Sequence, residues 1–388
     1  MTFNFDEPVD RLHTDSLKYD GLTQFFGSAD LLPMWVADMD FKTPQFIIDA
    51  LKKRLQHEVM GYSLRPQHFL DAIKGWVKRR HNWDISTDWI VFTPGIVPAV
   101  NISVLAYTSV SDGIITQPPV YFPFFNAATD HRRKLIYSPL KLVNGRLSID
   151  FTDLEQKCRQ GARMIILSSP HNPGGNVWTR DELSRIAEIC LRHNILVVSD
   201  EIHSDLVYKP HVHTPMASLS DEIAANTVTF IAPSKTFNVS GLSSSAAIIP
   251  DKKLREQFVA TLESLHVGLG NIFGNVAMEA AFTHGDKYVD ALMDYLAGNV
   301  SLVESFLSEN IPQIKPVRPE ATFLMWLDCR ELGMTDVELK DFFLNKAHLA
   351  LNQGIQFGPG GEGFMRMNIG CTREVLRKAL NQMKEAFI

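Results

Sequence analysis

The chain has 388 residues, 45% of them hydrophobic and 21% charged, with a net charge of −6. That length allows two domains with a sizeable core, and an acidic balance without a basic run argues against nucleic acid and anionic membranes as partners. No apolar run reaches the roughly 20 residues of a membrane helix, and the first residues lack the charged-then-apolar pattern of a secretory leader. Cys158, Cys190, Cys329 and Cys371 are far apart and form no CxxC, which fits buried free thiols in a reduced cytoplasm.

Taken in chain order, Trp89 to Thr93 reads as a strand and Val97 to Tyr107 as a helix. Gly113 to Gln117 and Met164 to Ser168 are further strands. The segment Asp181 to Asn194 has helical apolar spacing at Leu183, Ile186, Ala187, Cys190 and Leu191, with Thr179 as N-cap. Strands follow at Ile195 to Ser199, Thr227 to Ile231 and Ser245 to Ile249. Strands apolar throughout and separated by helices predict an α/β fold with a mostly parallel sheet covered on both faces. Beyond about residue 286 the pattern changes. A helix over Lys287 to Glu309, a strand near Thr322 to Asp328, a helix near Asp336 to Ala347, a strand near Phe364 to Ile369 and a last helix read as a smaller α+β domain. The expected division is 45–285 for the large domain, and 1–44 with 286–388 for the small one.

The strand ends carry the chemistry. They run into Pro94 to Pro98, Pro118 to Tyr121, Pro170 to Gly175, Asp200 to His203 and Ala232 to Thr236. Ligands of an open parallel sheet bind beyond the carboxyl ends of its strands, so Tyr, Asn, Asp, His, Ser and Lys converge on one edge. Lys235 follows an apolar strand, where an amine nucleophile can lose its charge; the plain reading is a surface lysine. Asp200 ends a very apolar strand, and a buried carboxylate needs a positive partner. The protonated pyridine nitrogen of pyridoxal phosphate is one such partner, and a helix N-cap or a structural ion pair would be others. Glu201 falls on the opposite face by strand alternation. Asn172 suits a hydrogen bond to the phenolic oxygen of that cofactor, or simply a turn. Tyr121 can stack on the ring or pack in the core. Gly95, Ile96 and Val97 open a helix beyond a strand, which makes an anion site for a phosphate, with the Ser234 hydroxyl beside it. His203 closes its strand-end stretch and counts with the cofactor contacts. Arg366, alternating with apolar neighbours, suits an α-carboxylate or a structural salt bridge. His171 is expected to be a turn or packing residue, and His211-Val-His213 an exposed loop. These histidines, with His203, lack convergent ligand spacing, so no metal site is expected.

The chain resembles fold-type I pyridoxal-phosphate enzymes, the aspartate aminotransferase superfamily. Within that superfamily it resembles the cystathionine β-lyase branch of bacterial C–S lyases. The likeness runs from end to end, through Leu32-Pro-Met-Trp-Val-Ala-Asp-Met-Asp-Phe41, Thr93-Pro-Gly-Ile-Val-Pro98, Gln117-Pro-Pro-Val-Tyr121, Pro170-His-Asn-Pro-Gly-Gly175, Ser199-Asp-Glu-Ile-His203, Ala232-Pro-Ser-Lys-Thr-Phe-Asn-Val-Ser-Gly-Leu242 and Arg366-Met-Asn368. It implies a seven-stranded sheet and pyridoxal 5'-phosphate as cofactor. Lys235, Asp200 and Tyr121 would form the catalytic set, with Lys235 as Schiff-base lysine and proton carrier. Asn172, Tyr121, Arg366 and Trp35 would meet the substrate. Gly95, Ile96, Val97, Ser234, His203 and Tyr62 would hold the cofactor, Tyr62 across the interface of a homodimer. The implied reaction is α,β-elimination from L-cystathionine or a related S-substituted cysteine to a thiol, pyruvate and ammonia. A class I/II aminotransferase would use the same residues. A regulatory binding protein with a secondary pyridoxal site is the reading from another class. The chain departs from the branch at Tyr19, within Lys18-Tyr19-Asp20, and at Tyr288, positions where Trp is usual; both bear on the shape of the substrate pocket.

Overall fold

A computed structural model describes residues 3–387. Met1, Thr2 and Ile388, the outermost residues of the expected small domain, lie outside the described residues. The central sheet has seven strands: β1 (Ile90–Thr93), β2 (Gly113–Thr116), β3 (Lys134–Tyr137), β4 (Ala162–Ser168), β5 (Leu196–Asp200), β6 (Thr227–Ile231) and β7 (Ser245–Ile248). Their order across the sheet is β1-β7-β6-β5-β4-β2-β3. The pairs from β6 through β3 are parallel, and β7 runs antiparallel to both β1 and β6. The inner strands β5 and β6 are buried at every position, which is why they carry unbroken apolar sequence rather than alternation. β3 escaped sequence reading because it is an edge strand with an exposed Lys134 and a buried Ile136.

The crossover helices follow their sequence signals. α1 (Ile96–Tyr107) is apolar on most sides and lies against β1, β5, β6 and β7. α2 (Arg180–Arg192) begins with a complete capping box: Thr179 accepts from the Glu182 N–H, and the Glu182 carboxylate accepts from the Thr179 N–H. This arrangement satisfies two helix-start donors at once. Its Leu183, Ile186, Ala187 and Cys190 are buried at the helical spacing expected.

A second, antiparallel sheet is built from β8 (Lys315–Val317), β9 (Leu324–Asp328), β10 (Asn352–Gln353) and β11 (Phe364–Asn368), in the order β8-β9-β11-β10. The long helix α3 (Asp286–Asn310) and the last helix α4 (Arg373–Glu385) pack beside it. Near the N-terminus, Leu32–Pro33 pairs with Leu349–Ala350. One apolar cluster joins Ile47, Phe69 and Trp76 to Phe323, Met367 and Leu380, so the core is continuous between the two sheets. All four cysteines are buried and free. Among the described residues, no helix is long and apolar enough to cross a membrane.

Candidate active site

The carboxyl ends of β1, β4, β5 and β6 open on one cavity of about 240 Å³. Gly95, Ile96, Val97, Tyr121, Asn172, Asp200, His203, Ser234 and Lys235 all line it. Arg366 reaches it from β11 through Asn172.

Lys235 sits just after β6, in a turn closed by the Phe237 N–H on the Pro233 carbonyl and the Val239 N–H on the Ser234 carbonyl. Thr236, fully buried, donates its hydroxyl to Asp205 at 3.0 Å and fixes the turn from behind. The Lys235 Nζ donates to the Ala37 carbonyl at 2.7 Å. Burial lowers its pKa to about 8, against the pull of Asp38 and Asp200. The amine therefore gives up its proton near pH 8, more readily than a solvated lysine, as a nucleophile or base needs.

Asp200 is the last residue of β5 and is buried. The only hydrogen bond to its carboxylate among the described residues comes from the Ile202 N–H, at 3.1 Å. Burial raises its pKa to about 7. One weak donor leaves most of a carboxylate's acceptor capacity open. Its sequence neighbour Glu201 points to the other face, as alternation predicts, and is held by Ser199 Oγ at 2.9 Å, His213 Nε2 at 2.8 Å and the Met216 N–H at 2.9 Å. This corrects the expectation for His211-Val-His213. His211 and Val212 are exposed, but His213 turns inward, is buried, and contacts Glu201. A buried carboxylate needed a partner, and the sequence concealed that the loop supplies it.

Asn172 is clamped on three sides. Its N–H donates to Ser168 Oγ at 3.2 Å, its carbonyl accepts from the Tyr121 N–H at 3.1 Å, and its Oδ1 accepts from Arg366 Nη1 at 3.0 Å. The bond to its carbonyl also anchors Tyr121, a largely buried side chain whose phenol is pushed up by that burial. Arg366 donates further to the Trp35 carbonyl at 2.9 Å and to Asn352 Oδ1 at 2.6 Å. Its guanidinium lies 4.9 Å from the Phe357 ring centroid, and its Nε has no partner. No carboxylate among the described residues pairs with it, so the structural salt bridge is not realised. Burial lowers its pKa to about 10, leaving the group cationic.

Around the rim, Gly95 has φ 126°, open to glycine and strained for other residues. Its N–H is engaged by Ser245 Oγ at 2.9 Å, which removes it as an anion donor. The N–H groups of Ile96 and Val97 stand at the start of α1 without intrahelical acceptors. Ser240, Ser243 and Ser244 also line the cavity. The signal for Ser243 and Ser244 was the serine run after Leu242, just beyond the motif that carried attention, whereas Ser240 lies within that motif. His203 is buried, with Nδ1 unpartnered, and burial keeps its imidazole neutral down to about 3. His171 is a buried turn residue: its Nδ1 accepts from the Gly174 N–H and its ring packs against Trp178.

Two expected residues stand elsewhere. The Trp35 ring packs against Phe25 and Phe26 and donates to the Lys18 carbonyl at 3.0 Å, so Trp35 meets the site through its own carbonyl. Tyr62 is 95% exposed and does not line this cavity; it borders a separate cleft with Arg54 and His57. The departures Tyr19 and Tyr288 are also outside the lining; Tyr288 stacks on Phe237 in the core. No group of three or more His, Cys, Asp or Glu among the described residues is placed to hold a metal ion.

The profile of the family described as "Aminotransferase class I and II" matches residues 29–383. The chain belongs to that family. It is 44% identical to the cystathionine beta-lyase PatB of Bacillus subtilis (strain 168), over 99% of both chains. A PLP-bound putative aminotransferase from Clostridium difficile 630 is similar at 42% identity, covering all of both chains with TM-score 0.98. The PLP-bound C–S lyase from Staphylococcus hominis is 31% identical, covering 100% of this chain and 99% of the other, with TM-score 0.93.

Proposed function

We propose that this chain is a pyridoxal 5'-phosphate-dependent C–S lyase. Its substrate would be L-cystathionine or a related S-substituted cysteine, cleaved to a thiol, pyruvate and ammonia. One observation carries the reading: a half-buried amine with pKa near 8, a buried carboxylate with a single donor and a buried guanidinium with no carboxylate converge on one cavity. The similarity to a cystathionine beta-lyase and a C–S lyase over the full chain gives the reaction class.

The residues fit the cofactor. Asp200 lacks a cationic partner, which a protonated pyridine nitrogen supplies. The start of α1 at Ile96 and Val97, with the Ser234, Ser240, Ser243 and Ser244 hydroxyls, offers donors to a phosphate. The Asn172 amide N–H groups and the unpartnered Nδ1 of His203 suit polar groups of the ring, and Tyr121 offers a flat face. When bound, the cofactor acts as an electron sink for a carbanion at the substrate α-carbon. Arg366 holds the substrate carboxylate as a planar fork, itself held by three neutral acceptors. Asp200 keeps positive charge on the ring. Lys235 anchors the cofactor and, when free, takes the α-proton at Nζ, leaving the β-thiolate to depart. Orienting the Cα–H bond toward that amine makes this cleavage competitive.

A second reading is an aminotransferase, favoured by the similarity to a putative aminotransferase. Incubation of the purified protein with L-cystathionine separates the two. Pyruvate and free thiol without any added 2-oxo acid support the lyase, whereas turnover that needs 2-oxoglutarate would sink it.

We also propose a homodimer in which Tyr62 completes the neighbour's site. Tyr62 is exposed together with Val59, Met60 and Leu64 on one stretch, an apolar surface that calls for a partner. Tyr62→Ala should weaken pyridoxal phosphate binding about tenfold while gel filtration still gives a dimer; unchanged affinity argues against the exchange. The free thiols suit a reduced cytoplasm, and the division into 45–285 and 1–44 with 286–388 follows the two sheets.

A further inference from the structure

The run from Met34 to Phe41 is held carbonyl by carbonyl. The Met34 carbonyl accepts from the Asn368 N–H at 2.8 Å, and the Trp35 carbonyl from Arg366 at 2.9 Å. The Val36 and Asp38 carbonyls both accept from the Asn368 side-chain amide, at 2.5 and 2.6 Å. Those of Met39 and Phe41 accept from Asn238 Nδ2, each at 2.8 Å. Each of these donors is fixed by packing or by further hydrogen bonds. Asn368 is buried, and its Oδ1 accepts from the Gly370 N–H at 2.7 Å, which fixes the amide's orientation. Between the two carbonyls that Asn368 holds lies that of Ala37. Its donor is Lys235 Nζ, the one group in the set that chemistry must move.

The far side of the run is also pinned. Lys18 is fully buried and donates to both oxygens of Asp40 at 3.0 Å, while Arg11 bonds Asp40 at 2.8 Å and Asp38 at 2.7 and 3.1 Å. A buried ion cluster is a costly way to gain stability, and holding one geometry is the better-attested reason to keep one. None of these four residues lines the cavity.

We propose that Asn368 is a positioning residue that aims the Ala37 carbonyl at Lys235, so that the free amine returns to one place whenever it is released. The inference rests on the reading of Lys235 given above. Two carbonyls that flank Ala37, tied to one rigid amide, leave the peptide between them little freedom, and an amine donating to that peptide inherits its precision. Misplacing a reacting group by about 1 Å can cost roughly a hundredfold in rate.

The test uses Asn368→Ala, with Asn368→Ser as a milder variant that keeps one short donor. In cofactor-free protein, the labelling of Lys235 by trinitrobenzenesulfonate is followed by mass spectrometry of the peptides, with the buried Lys18 as internal control. The expected result is Lys235 labelling faster by about threefold or more in Asn368→Ala, because loss of an acceptor frees the amine and disfavours its charged form. Lys18 stays unlabelled, which excludes general loosening. In the loaded enzyme, kcat falls about tenfold or more while KM stays within about threefold, and Asn368→Ser recovers part of the loss. If Asn368→Ala fails to fold, the same comparison is read on Asn368→Ser. Equal labelling of Lys235 in wild type and variant overturns the inference, whatever the turnover. Faster labelling in a protein whose wild type never releases thiol would instead sink the proposed reaction and leave the positioning role standing.

Discussion

Two clefts of this molecule invite comparison. The larger, about 490 Å³, lies between the turn at Asn144–Arg146, the loop at Val207–His211 and helix α3. It is rich in charge, but Arg80 is bonded to Asp290, and Arg146 to both Glu182 and Glu320. The smaller, about 240 Å³, holds fewer ionisable groups, and those are the ones left incomplete. Asp200 has one donor where its neighbour Glu201 has three. Arg366 meets no carboxylate where Arg146 meets two. The half-buried Lys235 faces a carbonyl where the fully buried Lys18 faces a carboxylate. Size does not distinguish a site from a crevice. Unfinished electrostatics in a buried place does, because a fold keeps such groups only where a ligand completes them.

Substitutions within each pair should separate chemistry from stability. The largest effect belongs to Lys235→Ala, which removes the base and should lower thiol release by roughly 10³-fold with an unchanged melting temperature of the cofactor-free protein or a higher one. Lys18→Ala should do the reverse, unfolding the N-terminal segment and losing about 3 kcal/mol as Asp40 is left buried without its lysine. Equal catalytic losses from both would break the comparison.

Next comes the carboxylate pair. Asp200→Asn should cut kcat about 10²-fold or more, through loss of the charge that supports the ring nitrogen. Glu201→Gln should leave kcat within about threefold and cost about 2 kcal/mol of stability in a urea titration, because it disturbs three satisfied bonds. Arg366→Met should raise KM about 10²-fold with a smaller change in kcat, the mark of a group that binds the substrate carboxylate. A KM within twofold of wild type would return Arg366 to a structural role.

The smallest effects are in pH. The Asp200 carboxyl is raised to about 7, so its contribution to the stability of the cofactor-free fold is complete below about 4 and is lost as pH rises through 7. The Lys235 amine is lowered to about 8, so its contribution is complete above about 10.4 and is lost as pH falls through 8. Asp200→Asn should therefore raise the melting temperature relative to wild type above pH 7 and leave it unchanged near pH 4. Lys235→Met should raise it most below pH 8, with the gain fading above pH 10. Parallel melting curves across this range would mean that neither group is desolvated.

Much of this was legible in the sequence because the information was local. Buried strands such as β5 and β6 need continuous apolar residues, and five strand ends then announced the polar residues of one sheet edge. The capping box at Thr179 and Glu182 was readable for the same reason. What escaped depended on contacts distant in sequence. His213 turned inward because Glu201, 12 residues earlier, required a partner. The Gly95 N–H was lost as an anion donor because Ser245, 150 residues later, accepts it. Trp35 contributes its carbonyl rather than its ring because the side chain belongs to a cluster with Phe25 and Phe26. The role of Asn368 was hidden altogether, since nothing in Arg366-Met-Asn368 says that the amide reaches Val36 and Asp38, 332 and 330 residues away.

The most direct test is a spectrophotometric titration of the purified, cofactor-free protein with pyridoxal 5'-phosphate. The account predicts a saturable visible band, distinct from that of the free cofactor, in wild type, and its absence in Lys235→Ala. A wild-type protein that gains no band, or a Lys235→Ala protein that gains the same one, would contradict it.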